Sequence, residues 1–225
     1  MKTIYKTILI LVLSFLTWPS FAISIKENQK SGNETLISSK TLMDRMDNAL
    51  SKYRVLSVNF IFNTRGDDNE IVSQKGKFYA MGTMYKIKAE DFDLYCDGVE
   101  KWFYNKGANE INKFNHDSTS LDITDNPLVV IKSISAMYQV SKAKVKKLGE
   151  GWSIILEPKK KGDYKFLTLD ISSDNHLPIL ISCVTNDGRE YFISLKDFSE
   201  MGNKSVSFFT PNIKSMGDVI VNEID

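Results

Sequence analysis

From Leu56 onward, apolar residues recur at every second position in one short run after another. "LSVNFIF" places Leu56, Val58, Phe60 and Phe62 on one side of an extended segment, and "QKGKFYAM", "MYKIKA" and "FDLYC" continue the alternation. A period of two is the signature of strands that bury one face. The breaks between runs are turn-like: "RGDDNE" at 65–70, a glycine at 82 and Asp97-Gly98. Beyond Asp97-Gly98, Trp102 and Tyr104 share one face of the next strand with Phe103 opposite, and "NEINKF" extends the meander. A second set follows as "WSIILEP", "KFLTLDIS", "PILISCVT", "REYFISLKDF" and "SVSFFTP", joined by "KKKGD", "SSDNH" and "NDG". Connections this short require antiparallel neighbours, because a parallel crossover needs a dozen or more residues. The expectation is one antiparallel sheet of about ten strands, close to the size at which open sheets curl.

Two segments break the alternation. In "SSKTLMDRMDNALSKYR", Met43, Met46, Leu50 and Tyr53 recur at helical spacing beside Leu42, with Ser38 or Ser39 as the cap. In "DITDNPLVVIKSISAMYQV", Asn126 suits a cap and Pro127 a first helical position, and Val130 or Ile131, Ile134 and Met137 or Tyr138 form an apolar stripe. The predicted class is α+β: an unclosed, strongly curled antiparallel β-barrel with helices covering its concave side. No repeat or linker divides 38–225, which is expected to be one domain behind a flexible lead-in at 23–37.

The first 22 residues have another purpose. Lys2 and Lys6 precede the apolar run "TILILVLSFLTW", and Ser20 and Ala22 occupy the small-residue positions of a cleavage site. This is the pattern of a secretory signal peptide, and the run is short for a membrane span. Ile23 follows the expected cut where a lipoprotein would need Cys, so a soluble exported protein is expected. A net charge of +1 argues against nucleic acid as a partner. Cys96 and Cys183 could pair in an oxidising compartment or serve as two buried small apolar side chains.

Residues that would carry chemistry are scattered. His116 and His176 lie in polar turn segments, outside any metal-binding pattern. Asp91, Asp93 and Asp97 alternate with Phe92 and Leu94, as on a solvated strand face, and lack the spacing of a calcium loop. There is no nucleophile elbow, phosphate-binding glycine loop or Cys-x-x-Cys. Neither a cofactor nor a metal is expected, and the reading is non-enzymatic.

"DGVEKWFYNK" (97–106) resembles the most recognisable stretch of the LolA family, the periplasmic outer-membrane lipoprotein carriers, in which an Asp-Gly turn leads into a Trp-x-Tyr strand. An N-terminal helix before "SVNFIF", the strand "QKGKFYA", the Pro-containing "DNPLVVI" and the closing "SFFTPNIKSMGDVI" are similar in order and spacing. The resemblance implies an unclosed barrel with a helical lid and a hydrophobic cavity for lipoprotein acyl chains. It also implies loading by an inner-membrane ABC-type releasing complex and carriage to the outer membrane, by a chain expected to act as a monomer. One departure stands out. The family has a basic-Pro turn whose Arg helps control opening, whereas "FYAMGTMYKIKA" has neither Arg nor Pro, with Lys86 and Lys88 nearby.

The candidate lining is the apolar face of the strands and the second helix. It comprises Val58, Phe60, Phe62, Phe78, Tyr85, Ile87, Phe92, Leu94, Trp102, Tyr104, Ile131, Ile134, Met137, Leu167, Leu169, Ile179 and Ile181. The same residues could equally be plain core, the default for a sheet buried on one side. Phe60, Phe78, Leu94 and Trp102 are expected on one side. Two other readings remain open. One is a lipid- or lipoprotein-sensing envelope module of the same fold. The other is a hydrolase with dispersed catalytic residues.

Overall fold

Twelve strands form a single sheet in the order β12-β6-β5-β4-β3-β2-β1-β11-β10-β9-β8-β7. They are β1 (Leu56–Arg65), β2 (Ile71–Met81), β3 (Met84–Ala89), β4 (Phe92–Cys96), β5 (Glu100–Asn105), β6 (Glu110–Asn115), β7 (Lys144–Leu148), β8 (Gly151–Leu156), β9 (Tyr164–Ser172), β10 (Pro178–Thr185), β11 (Glu190–Glu200) and β12 (Ile220–Ile224). The computed structural model describes residues 37–65, 71–118, 134, 138–140, 144–159 and 164–224. The chain divides into a unit at Met1–Leu36, which includes the expected signal peptide and lies outside the described residues, and a unit at Ile37–Asp225.

The order resolves into two meanders, β1–β6 and β7–β11, joined where β1 pairs with β11. Every pairing is antiparallel except β12 on β6, which is parallel. The edge strands β7 and β12 do not meet, so the sheet is open. Two strands escape local pattern reading. β7 ("KVKKL") has lysines at three of five positions, and β12 ("IVNEI") lies exposed on an edge, where no buried face imposes alternation. The expected strand at "SVSFFTP" is instead a single 3-10 turn, Val206–Phe208, with Phe209 fully buried behind it.

Helix α1 (Ser39–Leu50) starts where its cap predicts: Ser38 Oγ accepts a hydrogen bond from the Thr41 amide at 3.0 Å. It buries Leu42, Met43, Met46, Ala49 and Leu50 against Ile154, Leu156, Leu167, Leu169, Ile171 and Ile181 of β8–β10. Ile134 and Tyr138 join this core; Ile134 is helical and its carbonyl accepts from the Tyr138 amide at 2.9 Å. The rest of the second expected helix, including Ile131 and Met137, lies outside the described residues.

Register assigns each residue to a face. Val58 pairs with Phe78, Phe78 with Ile87 and Ile87 with Leu94, so these stand on the α1 side with Phe60. Leu94 then pairs with Phe103, not Trp102. Trp102 pairs with Tyr95, and Tyr104 with Asp93, on the opposite side. The expected common face for Phe60, Phe78, Leu94 and Trp102 is therefore corrected at Trp102, and with it Tyr104. The cause is the Asp97-Gly98 turn. Cys96 pairs with Lys101, leaving four residues in the loop. An even loop count makes even-numbered residues of β4 face odd-numbered residues of β5.

Candidate functional site: an apolar strip on the helix-covered face

On the α1 side, burial divides the expected lining into two kinds. Val58, Phe78, Tyr85, Ile134, Leu167, Leu169 and Ile181 are buried in protein core. Phe60, Phe62, Ile87, Phe92 and Leu94 remain half-buried. Sequence reasoning missed further half-buried members. Phe103 takes the position expected for Trp102, and Tyr191 and Ile193 of β11 face Thr64 and Phe62. Phe103 follows once the β4–β5 loop is counted, and the β11 pair follows from alternation in "REYFISLKDF".

The rings form pairs along this strip. Phe92 stacks on Phe103 with centroids 5.3 Å apart, and Phe62 on Tyr191 at 6.0 Å. Deeper in, Phe78 stacks on the fully buried Tyr85, which His116 meets edge-on at 5.8 Å. Gly76 leaves room for the Phe60 ring here. A Cβ at Gly76 would fall 2.2 Å from the Lys88 carbonyl and 2.8 Å from that ring. The surface is apolar and aromatic, and its half-buried rings can bury further area on contact with a ligand. Ile179 stands apart at 40% exposure: a register shift between Pro178 and Leu180 turns it out of the face that holds Ile181.

The opposite face is wired differently. Residues 201–219 lead from β11 to β12 and cover part of it: Phe208 meets Tyr79 edge-on at 5.3 Å, and Met216 and Val219 pack on Tyr95, Trp102 and Ile111. The rings of "WFYNK" thus divide. Trp102 is covered by the protein's own C-terminal segment, while Phe103 lies on the apolar strip. Asp93, 2% exposed, accepts hydrogen bonds from Lys88 and from the Tyr95 hydroxyl at 3.1 Å. Lys106 Nζ lies 3.0 Å from Asp93 Oδ1, an ion pair without hydrogen-bond alignment, since that ammonium donates to the Ala89 and Glu90 carbonyls.

These contacts shift the local acids and bases. Burial pushes the Tyr95 phenol above its ordinary range, and the Asp93 carboxylate adds to the effect. Burial opposes the Lys88 charge, but the hydrogen bond and charge of Asp93 outweigh it and hold that ammonium up. Burial pushes Lys86 down and Lys88 adds to this, with Asp93 opposing. Lys86 donates to the Phe208 carbonyl at 3.2 Å and lies 4.4 Å from the Phe208 ring centroid. Both Lys86 and Lys88 therefore engage the face away from α1.

Cys96 and Cys183 are buried thiols on β4 and β10, with four strands of the sheet between them, so they do not form a disulfide. Burial raises the Cys96 thiol. His176 stacks on Trp152 at 5.7 Å. No group of three or more His, Cys, Asp or Glu suited to a metal ion occurs among the described residues. No helix among them is long and apolar enough to cross a membrane.

No family model matches the sequence, and no curated protein matches it. Solved structures do match. An uncharacterised conserved protein from Thermus thermophilus is similar at a TM-score of 0.51 and 13% identity, over 83% of this chain and 99% of that one. A LolA superfamily protein from Nitrosomonas europaea is similar at a TM-score of 0.44 and 9% identity, over 79% of this chain and 100% of that one. At such identities the likeness concerns the fold alone. The described unit is an open antiparallel sheet with a helix across one face, and its fold is similar to that of the Thermus protein.

Proposed function

We propose that the protein binds the acyl chains of lipoproteins on the apolar strip and carries them through the periplasm toward the outer membrane. The observation that carries this reading is the strip itself. Phe60, Phe62, Ile87, Phe92, Leu94 and Phe103 lie half-buried beside a fully packed core, on the side that α1 covers. Burying a methylene is worth about 0.8 kcal/mol, so an acyl chain laid along these rings gains several kcal/mol. The sheet curls around its cargo, and α1, on the same side as the strip, acts as a lid. Loading then shifts the population toward the open form by the cargo's preference for it. Export through a cleaved signal peptide, loading by an inner-membrane ABC-type releasing complex and action as a binding protein without catalysis complete the proposal. The order of LolA-like motifs along the sequence supports it.

The test replaces two half-exposed rings. Phe62→Ala and Phe92→Ala together are expected to weaken binding of a fluorescent diacyl lipopeptide by about tenfold or more, while the protein still unfolds cooperatively. Unchanged affinity in a folded double variant would overturn the reading. Binding of free phospholipid with no lipoprotein transfer would favour the sensing module instead.

A further inference from the structure

The sheet face away from α1 carries a row of like charges that the acyl-binding reading does not use. Register places Lys196 of β11, Asn59 of β1, Lys77 of β2 and Lys88 of β3 side by side across four neighbouring strands. Lys77 and Lys88 are direct cross-strand partners. Lys75 lies two residues from Lys77 along β2, on the same face. Lys86 flanks Lys88, and Lys204 and Lys86 both approach the Phe208 ring, at 5.3 and 4.4 Å.

Like charges placed directly opposite one another destabilise a sheet. The arrangement is not a by-product of composition, since the net charge of the whole chain is only +1. Two carboxylates border the row, and each is engaged. Asp93 holds Lys88 and Lys106, and Asp197 accepts from Asn59 Nδ2 at 2.8 Å. Among the described residues, Lys75, Lys77 and Lys196 form no ion pair. Lys75, Lys88 and Lys196 are exposed.

Exposed apolar side chains border the charges. Ile61 pairs with Lys75 in register, and Ile71 lies on the same face of β2 at 60% exposure. Val206, 53% exposed, is on the segment that crosses this face. Protein interfaces favour arginine and buried aromatic anchors and are depleted of lysine. A row in which lysines carry the unpaired charge, bordered by scattered aliphatic side chains, instead suits a layer of phosphate headgroups, where each ammonium acts as a point charge and small apolar groups enter the interface. We propose that this face docks the protein on the surface of an anionic bilayer. The proposal does not depend on acyl binding, because the lysines and the apolar strip occupy opposite sides of the sheet.

The experiment uses residues 23–225 and two vesicle populations, phosphatidylcholine alone and phosphatidylcholine with phosphatidylglycerol, with binding read by co-sedimentation. The protein is expected to bind only the anionic vesicles and to be released at high salt. Lys75→Gln, Lys77→Gln and Lys196→Gln together should lower partitioning by about a hundredfold, at about fivefold per lysine. The same variant should retain diacyl lipopeptide binding, which also reports that it is folded. A control variant, Lys40→Gln, Lys52→Gln and Lys165→Gln, changes net charge equally away from this face and should partition as the parent does. Equal binding to neutral vesicles, an unaffected first variant or an equally impaired control would each overturn the proposal. So would failure of the parent to bind anionic vesicles. Loss of lipopeptide binding in the Phe62 and Phe92 variant, with vesicle binding intact, would separate the two sites.

Discussion

Tyr95 and Trp102 stand directly opposite each other on β4 and β5, both buried, on the face of the sheet away from α1. They form a small core with Ile111, covered by Met216 and Val219 of the C-terminal segment. Trp102 therefore packs against protein. Trp102→Ala is expected to cost about 3–5 kcal/mol in urea unfolding, the usual result of emptying a buried aromatic site. Diacyl lipopeptide affinity of the folded fraction should stay within about twofold of the parent. A variant of near-parental stability with lost affinity would place Trp102 on the ligand instead.

Gly76 is a second point where packing decides the outcome. Its absent Cβ leaves room for both the Lys88 carbonyl and the Phe60 ring. The carbonyl belongs to the neighbouring strand and cannot move without disturbing the β2–β3 ladder. Gly76→Ala is expected to destabilise by about 1–3 kcal/mol, as overpacking does, and to tilt Phe60 away from the strip. Thermal unfolding and lipopeptide titration together would register both effects.

The alkaline limb of stability should report Tyr95. Burial and the Asp93 carboxylate hold its phenol above the ordinary value of about 10. The folded state thus keeps this proton longer than the unfolded state does. The associated stability is complete below about pH 10 and is lost as pH rises through the folded value. Lys88, also raised, acts in the same direction, and Lys86, lowered, acts against it. Tyr95→Phe removes the phenol alone, so its stability should fall less steeply than the parent's above about pH 10. Identical slopes in the two proteins would refute the assignment.

Both cysteines should remain thiols. Cys96 and Cys183 are buried on separate strands of one sheet, and neither is bonded to the other. Purified protein unfolded in denaturant is expected to yield two titratable thiols per chain. In the native state Cys96 should react slowly, because burial raises its pKa and little thiolate forms.

Alternation and turn chemistry made most of the sheet legible. Both meanders apart from β7, the antiparallel pairings within them, a serine cap at 38 or 39 and the α1 stripe all follow from local sequence. Local sequence is less informative where a count or an edge decides. The Asp97-Gly98 signal marks a turn but not its length, and one residue of difference in the loop exchanges Trp102 for Phe103. Ile179 alternates correctly with Ile181 until a bulge intervenes. β12 pairs in parallel with β6 after a crossing of about twenty residues from β11, a long-range contact that no local pattern announces. The candidate strip was legible in β1–β4, where registers hold. Alternation puts Tyr191 and Ile193 on one face of β11, and the joining of β1 to β11, which unites the two meanders in one sheet, brings that face beside Phe62.

Native mass spectrometry of the protein purified without detergent from the cells that make it tests acyl-chain carriage most directly. The expected result is a population carrying a diacyl or triacyl lipoprotein that is lost in the Phe62→Ala, Phe92→Ala variant. Protein free of any acylated species, and unable to take up lipoprotein from membranes, would contradict the account.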